Sequence, residues 1–339
     1  MELCFISIIL VCYNYGHLLP KALEMIKNQT DKDFELIFVD NGCTDNSVEI
    51  INEFIDNNPD IAVKIVTVSE NQGIAHGENC GVKAATGKYL MFHDADDWMD
   101  YDTIEILHKA ALSNDADRVV SAFRDVDEHG NTMQVQELGE EPNFWLYGMQ
   151  QANLFKRSIY VENDIHTQCF WLDAEKTFIF NSYCKNVAYV KKACYNYLVH
   201  TDSSSRNKSL YKKLLNDEYY SFEKLLSVCV KYIENVNDSH SVSLAKCQLA
   251  KYYYSYIFQF LRDAPFKNTF SMYKNLQKTI KKYIPDYLEV TKIGLKDKKS
   301  VRNYSRKATM LSYFLEKFNL MQLALIGYHI VSKFYYFKV

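Results

Sequence analysis

Lys88-Tyr89-Leu90-Met91-Phe92-His93-Asp94-Ala95-Asp96-Asp97-Trp98 joins a short apolar run to three carboxylates within four residues. The run has the length and composition of a buried strand. Carboxylates this close repel and raise one another's pKa unless a cation sits among them. Mg²⁺ and Mn²⁺ take oxygen ligands, commonly carboxylates together with substrate phosphates. Ligands of open α/β sheets bind beyond the carboxyl ends of the strands. The stretch therefore predicts a strand end carrying a metal-assisted site for a phosphorylated substrate.

Upstream, strand and helix patterns alternate. Phe5–Tyr13 and Phe34–Val39 are continuous apolar runs, and Ala62–Val68 is a third strand. Leu18–Asn28 has helical spacing through Leu19, Leu23 and Ile26. Asp45-Asn46-Ser47 reads as the N-cap of a helix through Ile50, Ile51, Phe54 and Ile55, and Gly77–Ala85 as a short helix before the strand Tyr89–Phe92. This alternation predicts an α/β fold, a mostly parallel sheet with helices on both faces. Beyond Asp97, Thr103–Ser113 reads as a helix, Arg118–Phe123 as a strand and Asp127–Asn131 as a hairpin turn. Glu175–Tyr183 reads as a helix and Val187–Val190 as a strand, whereas residues 140–170 carry no clear pattern. From about Leu210 the reading is helical, including Lys246–Leu261 and Met310–Phe337.

Composition narrows the class. Gly and Pro are scarce and aromatics abundant among 339 residues, which excludes collagen-like and linker-like chains. The nine cysteines are odd in number and contain no CxxC pair, which predicts reduced thiols rather than disulfides or a zinc site. No Lys or Arg precedes the first apolar run, and no apolar run approaches the ~20 residues of a membrane span. The expected location is cytoplasmic. Charge is unevenly shared. Residues 267–339 hold 15 Lys and Arg against 4 Asp and Glu, a net +11; the whole chain is −3, so residues 1–266 carry −14.

Four strand ends supply polar clusters: Tyr13-Asn14-Tyr15, Asp40-Asn41-Gly42, Glu70-Asn71-Gln72-Gly73 and Asp94-Ala95-Asp96-Asp97. In a parallel sheet all four fall on one edge. Taken singly, each has a plainer reading as a turn or helix cap. That reading is weakest for Asp94 and Asp96, because a cap needs one carboxylate rather than three, and Asp97 suffices for it. No GxxxxGK[ST] or GxGxxG loop is present, so a nucleotide would be held by edge carboxylates and metal.

With these residues in view, Ser7–Ile51, and Asn71–Trp98 with its DxD-type motif, resemble the family 2 glycosyltransferases. The resemblance is strong over residues 5–110 and traceable to about Arg206. It implies the GT-A fold (Rossmann-like), a nucleotide-sugar donor that is usually UDP-linked, Mn²⁺ or Mg²⁺, and inversion at the anomeric carbon. It also implies a catalytic domain over residues 1–209, with the donor bound by 1–98 and the acceptor by 99–209, followed by a helical region over 210–339. Asp40 would contact the uracil, with Tyr13, Asn14 and Asn71 lining the same pocket. Asp94 would approach ribose and metal, and Asp96 would ligate the metal. The family's carboxylate base maps to Glu175, with Ala174 where a Glu is usual; Asp173 is the alternative. A first-turn acid is also favoured by the helix dipole alone, so the pattern leaves that plainer role open. His200 is a further candidate metal ligand and Arg206 a candidate diphosphate contact, both after the Tyr-rich strand Tyr195-Asn196-Tyr197. Glu78 stands where many relatives carry an Arg, and an acid there cannot pair with phosphate.

The resemblance further implies a glycan or lipid-linked acceptor, as in capsule or exopolysaccharide assembly. The basic, aromatic tail suggests contact with an anionic membrane, at the inner face of the plasma membrane, or a helical bundle with a solvated basic face. No nucleic-acid motif is present. Two alternatives remain. One is a degenerate relative that binds nucleotide sugar without catalysis, motivated by Ala174 and Glu78. The other is a DxD phosphatase of the haloacid dehalogenase type, which needs a nucleophilic Asp after the first strand, where Tyr13-Asn14 stand.

Overall fold

The computed structural model describes residues 4–113, 115–147, 149–169, 172–200, 221–260, 266–296 and 303–327. The chain divides into two compact units, residues 1–138 with 149–200, and residues 139–148 with 201–339. The boundary expected at 209/210 lies outside the described residues.

The first unit is built on one sheet. Its strands are β1 (Ile6–Cys12), β2 (Phe34–Asp40), β3 (Ala62–Thr67), β4 (Tyr89–Asp94), β5 (Trp98–Met99), β6 (Arg118–Val126), β7 (Thr132–Gln136), β8 (Leu154–Lys156) and β9 (Val187–Leu198). The order is β3-β2-β1-β4-β8-β6-β9-β5, with β7 paired to β6. β1 to β4 run parallel to one another, and β6 runs parallel to β9. β8 is antiparallel to both β4 and β6, so the six strands β1 to β4, β6 and β9 point the same way and their carboxyl ends share one edge, while β7 runs antiparallel to β6.

The continuous apolar runs follow from burial on both faces. Ile6, Ile8 and Leu10 pack with α1 (Leu19–Lys27), α2 (Ser47–Asn57) and α4 (Thr103–Ser113) through Leu23, Ile26, Ile51, Ile104 and Leu107. The opposite face carries α3 (Ile74–Ala84), α5 (Arg157–Glu162) and α6 (Leu172–Tyr183). A Cβ on Gly77 would lie 2.7 Å from Val11 Cγ1, and one on Gly81 2.4 Å from Ile9 Cγ2, so these glycines let α3 lie directly on β1. β3 is the edge strand, half-exposed and polar in alternation, as an edge requires.

Several bounds differ from the sequence reading. Tyr13 lies beyond β1 and is exposed. α3 begins at Ile74 rather than Gly77, and α6 at Leu172 rather than Glu175. β6 continues past Phe123 to Val126, into the expected turn: Asp127 Oδ1 accepts from His129 and Asn131 N–H. β9 extends eight residues past Val190. Its pairing with β6 jumps from Ser121↔Val190 to Ala122↔Ala193, so exposed Lys191 and Lys192 bulge out and mask the strand's continuation. The unassigned 140–170 region holds the three-residue β8 and six-residue α5, both too short for periodicity to reveal.

The described parts of the second unit are helical: α7 (Phe222–Cys229), α8 (Ser239–Phe260), α9 (Phe266–Tyr283), α10 (Tyr287–Lys296) and α11 (Asn303–Lys317), with a 3-10 turn at Phe144–Leu146 packed on α8. α11 ends at a break where Asn319 takes φ +55°, and the helix resumes over 321–327. The expected single segment Met310–Phe337 is thus interrupted, and its last residues lie outside the described ones. Among the described residues no helix is long and apolar enough to cross a membrane.

Candidate functional site

The first three strand ends interlock through backbone capture. Asn14 sits at φ +60°, and its Oδ1 accepts from Thr44 N (2.7 Å) and Asp45 N (3.3 Å). Asp45 returns the link, accepting from Gly16 N at 2.9 Å, and its Oδ1 takes Ser47 N–H at the start of α2. The N-cap position itself, Asn46, makes no side-chain cap bond, so Asp45 performs the role the sequence reading gave to the trio. Asp40 is buried, and its Oδ1 accepts from Cys43 N at 2.8 Å, closing the turn after β2. Gly42 in that turn has φ +80°, and a Cβ there would come within 2.8 Å of the Glu70–Asn71 backbone. Asn41 Nδ2 donates to Asn71 Oδ1 (3.2 Å) and Gly73 O (3.3 Å), tying the second strand end to the third. Asn14, Asp40 and Asn71 therefore lie on adjoining loops of one sheet edge, with Tyr13 exposed beside them.

The fourth strand end is the carboxylate cluster. Asp94 accepts from Gln151 Nε2 at 2.9 Å, and its N–H lies 3.3 Å from Tyr195 Oη on β9. Asp96 Oδ2 lies 2.8 Å from His200 Nε2. Asp97 is not a helix cap. Its Oδ1 accepts from Leu198 N at 2.8 Å, which fixes the end of β9 and so carries His200 to Asp96. Burial pushes Asp94 up to about 8, reinforced by the charges of Asp96 and Asp173, while the Gln151 hydrogen bond opposes. Burial, then Asp94 and Asp96, hold Asp97 well above the carboxylate range. His93 is driven down to about 4 by burial, against a 2.8 Å contact of its Nδ1 with Asp94 O.

The two candidate bases differ in setting. Glu175 is fully buried in α6, and its Oε2 accepts from Gln168 N (2.8 Å) and Cys169 N (2.9 Å), so it shapes the preceding loop. Asn79 of α3 grips the same loop, exchanging hydrogen bonds with Thr167 O (3.0 Å) and Thr167 N (3.2 Å). Asp173 is half-buried on the first turn of α6. Burial pushes it up to about 7, opposed first by the Lys176 ammonium and raised further by Glu78.

Glu78 is not turned toward a phosphate. It forms a buried ion pair with Lys176, and Gln150 joins both, donating to Glu78 Oε1 at 2.8 Å and accepting from Lys176. The Lys176 ammonium also lies 3.3 Å from the Phe92 ring centre, a cation–π contact. Lys176, Gln150 and Gln151 escaped the sequence reading, which took Tyr195 only as part of a strand. The two glutamines lie in the unassigned region, and nothing in the local pattern of Lys176 announces burial. Arg206 lies outside the described residues. Among the described residues no group of three or more His, Cys, Asp or Glu is disposed to enclose a metal ion. The donor atoms at hand are the Asp96 carboxylate, the adjacent His200 imidazole and Asp94.

Residues 7–177 match the family model described as Glycosyl transferase family 2. Glycosyltransferase GlyG of Streptococcus pneumoniae serotype 4 (strain ATCC BAA-334 / TIGR4) is 32% identical over 136 residues, 40% of this chain and 44% of that protein. The matched region thus spans less than half of that relative. The uncharacterized glycosyltransferase YibD of Escherichia coli (strain K12) is 28% identical over 247 residues, 65% of this chain and 70% of that protein. Among solved structures, S. aureus TarS 1-349 in complex with UDP superimposes with a TM-score of 0.68 at 16% identity, covering 91% of this chain and 89% of that one. TarS 1-349 has also been solved with UDP-GlcNAc. The likeness extends the GT-A fold to this chain, plus a helical C-terminal region.

Proposed function

The chain belongs to the family 2 glycosyltransferases, and from that premise we propose that it is an inverting enzyme. It moves a sugar from a UDP donor to a hydroxyl of a glycan or lipid-linked glycan. The observation that carries this is the meeting of four polar strand ends on one sheet edge, with a carboxylate of raised pKa, Asp173, coupled electrostatically to Asp94. UDP and UDP-GlcNAc in the TarS structures support the nucleotide class. Family membership removes the phosphatase alternative.

In this reading Tyr13, Asn14, Asp40 and Asn71 line the nucleoside pocket, and Arg206 contacts the diphosphate. Asp96 and the adjacent His200, with Asp94 on the same strand end, would hold Mn²⁺ or Mg²⁺ only together with phosphate oxygens and water, since these residues by themselves do not enclose an ion. Burial first, and repulsion from Asp96 and Asp173 second, raise Asp94, and a cation would relieve the second of these. Such an ion would stabilise charge on the departing diphosphate. Asp173 is the base. An ionised carboxylate must accept the acceptor hydroxyl's proton as it attacks, and a pKa near neutrality suits that task. Glu175 gives its Oε2 to two backbone N–H groups and acts by shaping the loop. The proposed setting is cytoplasmic, at the inner face of the plasma membrane, in polysaccharide assembly.

The test is a panel of UDP-sugars with Mn²⁺, read by thermal shift and by UDP release. One UDP-sugar should stabilise the protein beyond UDP itself. Asp96→Ala should abolish metal-dependent turnover, a loss on the order of a thousandfold, with the fold unchanged. Full activity in that variant sinks the assignment. Donor binding without turnover under any acceptor condition would identify a degenerate relative.

A further inference from the structure

α11 is turned inside out. It buries Thr309, Ser312, Tyr313 and Glu316, yet leaves Met310, Leu311, Phe314 and Phe318 at 42–59% exposure, followed by exposed Leu320 and Leu323. An amphipathic helix on a soluble core does the reverse. The cause is Glu316. Its Oε1 accepts from Tyr253 of α8 (2.8 Å) and Tyr273 of α9 (2.8 Å), and its Oε2 from Tyr287 of α10 (3.0 Å) and Gln277 of α9 (3.1 Å). These four donors fix the rotation of α11 about its axis and so hold the opposite, apolar face outward. Phe314 and Phe318 lie in parallel planes on that face, 6.3 Å apart.

The charge on the face names its partner. Lys307 and Lys317 are exposed toward its two ends. Glu316 is the only Asp or Glu between Asn303 and Gly327, and it is buried. No carboxylate follows it anywhere to Val339. A protein-facing patch normally carries polar groups of both signs around its rim. An apolar stripe edged, among the described residues of this helix, by lysines and by no exposed acid fits the boundary between acyl chains and anionic headgroups.

We infer that the outward face of α11, set by the buried Glu316, docks on an anionic phospholipid surface. This inference locates the membrane contact of the proposed function but does not depend on the chemistry proposed there.

The full chain is sedimented with vesicles of phosphatidylcholine alone or of equal parts phosphatidylcholine and phosphatidylglycerol. Binding should require phosphatidylglycerol and weaken with salt. L311Q/F314Q/F318Q keeps helix-forming residues at exposed positions, so circular dichroism and the melting temperature should hold, while vesicle affinity falls on the order of tenfold or more. K307Q/K317Q leaves the apolar stripe intact and should cost about fivefold per lysine, with a shallower salt dependence. Wild-type indifference to phosphatidylglycerol, or undiminished binding by the triple variant, overturns the inference. So does a wild-type dimer in sedimentation equilibrium that the triple variant converts to monomer, since a second copy would then cover the face. Donor binding by both variants should equal wild type. A wild type that binds vesicles but no UDP-sugar would sink the proposed enzyme and leave this inference standing.

Discussion

The strand-end cluster and the helical unit both bury carboxylates, and they treat them in opposite ways. Glu316 receives four donors from three helices. Asp94 receives one side-chain donor, from Gln151, and lies against the charges of Asp96 and Asp173. Asp97 gives Oδ1 to Leu198 N–H, and beyond that only the Tyr195 hydroxyl opposes the burial and the Asp94 and Asp96 charges that raise it. A saturated buried acid is an element of architecture. A crowded, under-supplied one is held at a cost that binding can relieve. Glu175 differs from both in giving its Oε2 to two backbone donors, and Asp173 sides with Asp94.

The widest separation should appear in catalysis. Asp173→Asn is expected to lower kcat about 10²- to 10⁴-fold with little change in donor affinity. Glu175→Ala should instead lower stability, by about 1–3 kcal/mol for the stranded backbone donors, and be accompanied by a smaller, indirect loss of rate. Measured kcat and thermal unfolding of the pair decide it; a greater loss of kcat from Glu175→Ala would reverse the two roles.

Next in size is the Glu78–Lys176 pair. Lys176→Met leaves a buried carboxylate uncompensated and should cost about 3–5 kcal/mol in denaturant unfolding. Adding Glu78→Leu should recover much of that loss. If the double variant is no more stable than Lys176→Met, the pair is not a coupled unit.

Neutralising a carboxylate should then have opposite signs in the two regions. Glu316→Met strips the acceptor from three tyrosines and should destabilise by about 1–3 kcal/mol. Asp94→Asn should raise the melting temperature of the metal-free protein at pH 8. Asp94 and Asp173, at about 8 and about 7, keep protons in the folded state where the unfolded chain, titrating near 4, has lost them. Their contribution is therefore most favourable near pH 4 and is lost as pH rises through 7 to 8. Melting scans in chelator across that range test the slope, which Asp94→Asn should flatten. A pH-independent wild type would remove the distinction between the two regions. Turnover should rise as pH climbs through about 7 and Asp173 ionises.

The parallel half of the fold was readable because β1, β2 and β4 are buried on both faces and bounded by polar turns, which leaves an unambiguous local mark. The second half was harder. β8 and α5 are too short to show a period, and the Lys191-Lys192 bulge broke β9 in two. Among the candidate-site residues, Asp94 and Asp96 stood out by charge density alone. Gln151 and Lys176 did not, since their burial depends on partners distant in sequence. Glu78 could be recognised as a departure, but its partner could not be named.

What the amino-acid sequence determined by itself was the alternation of strands and helices, the alignment of polar clusters at strand ends, and the basic, acid-poor tail. Each follows from residue type and spacing within a few turns of chain. Only the tertiary structure decided which acids are saturated and which are crowded, that Asp97 anchors β9, that Lys176 answers Glu78, and that α11 shows its apolar side outward. Those outcomes depend on hydrogen-bond donors and charges brought together from far along the chain, where local sequence holds no information about them.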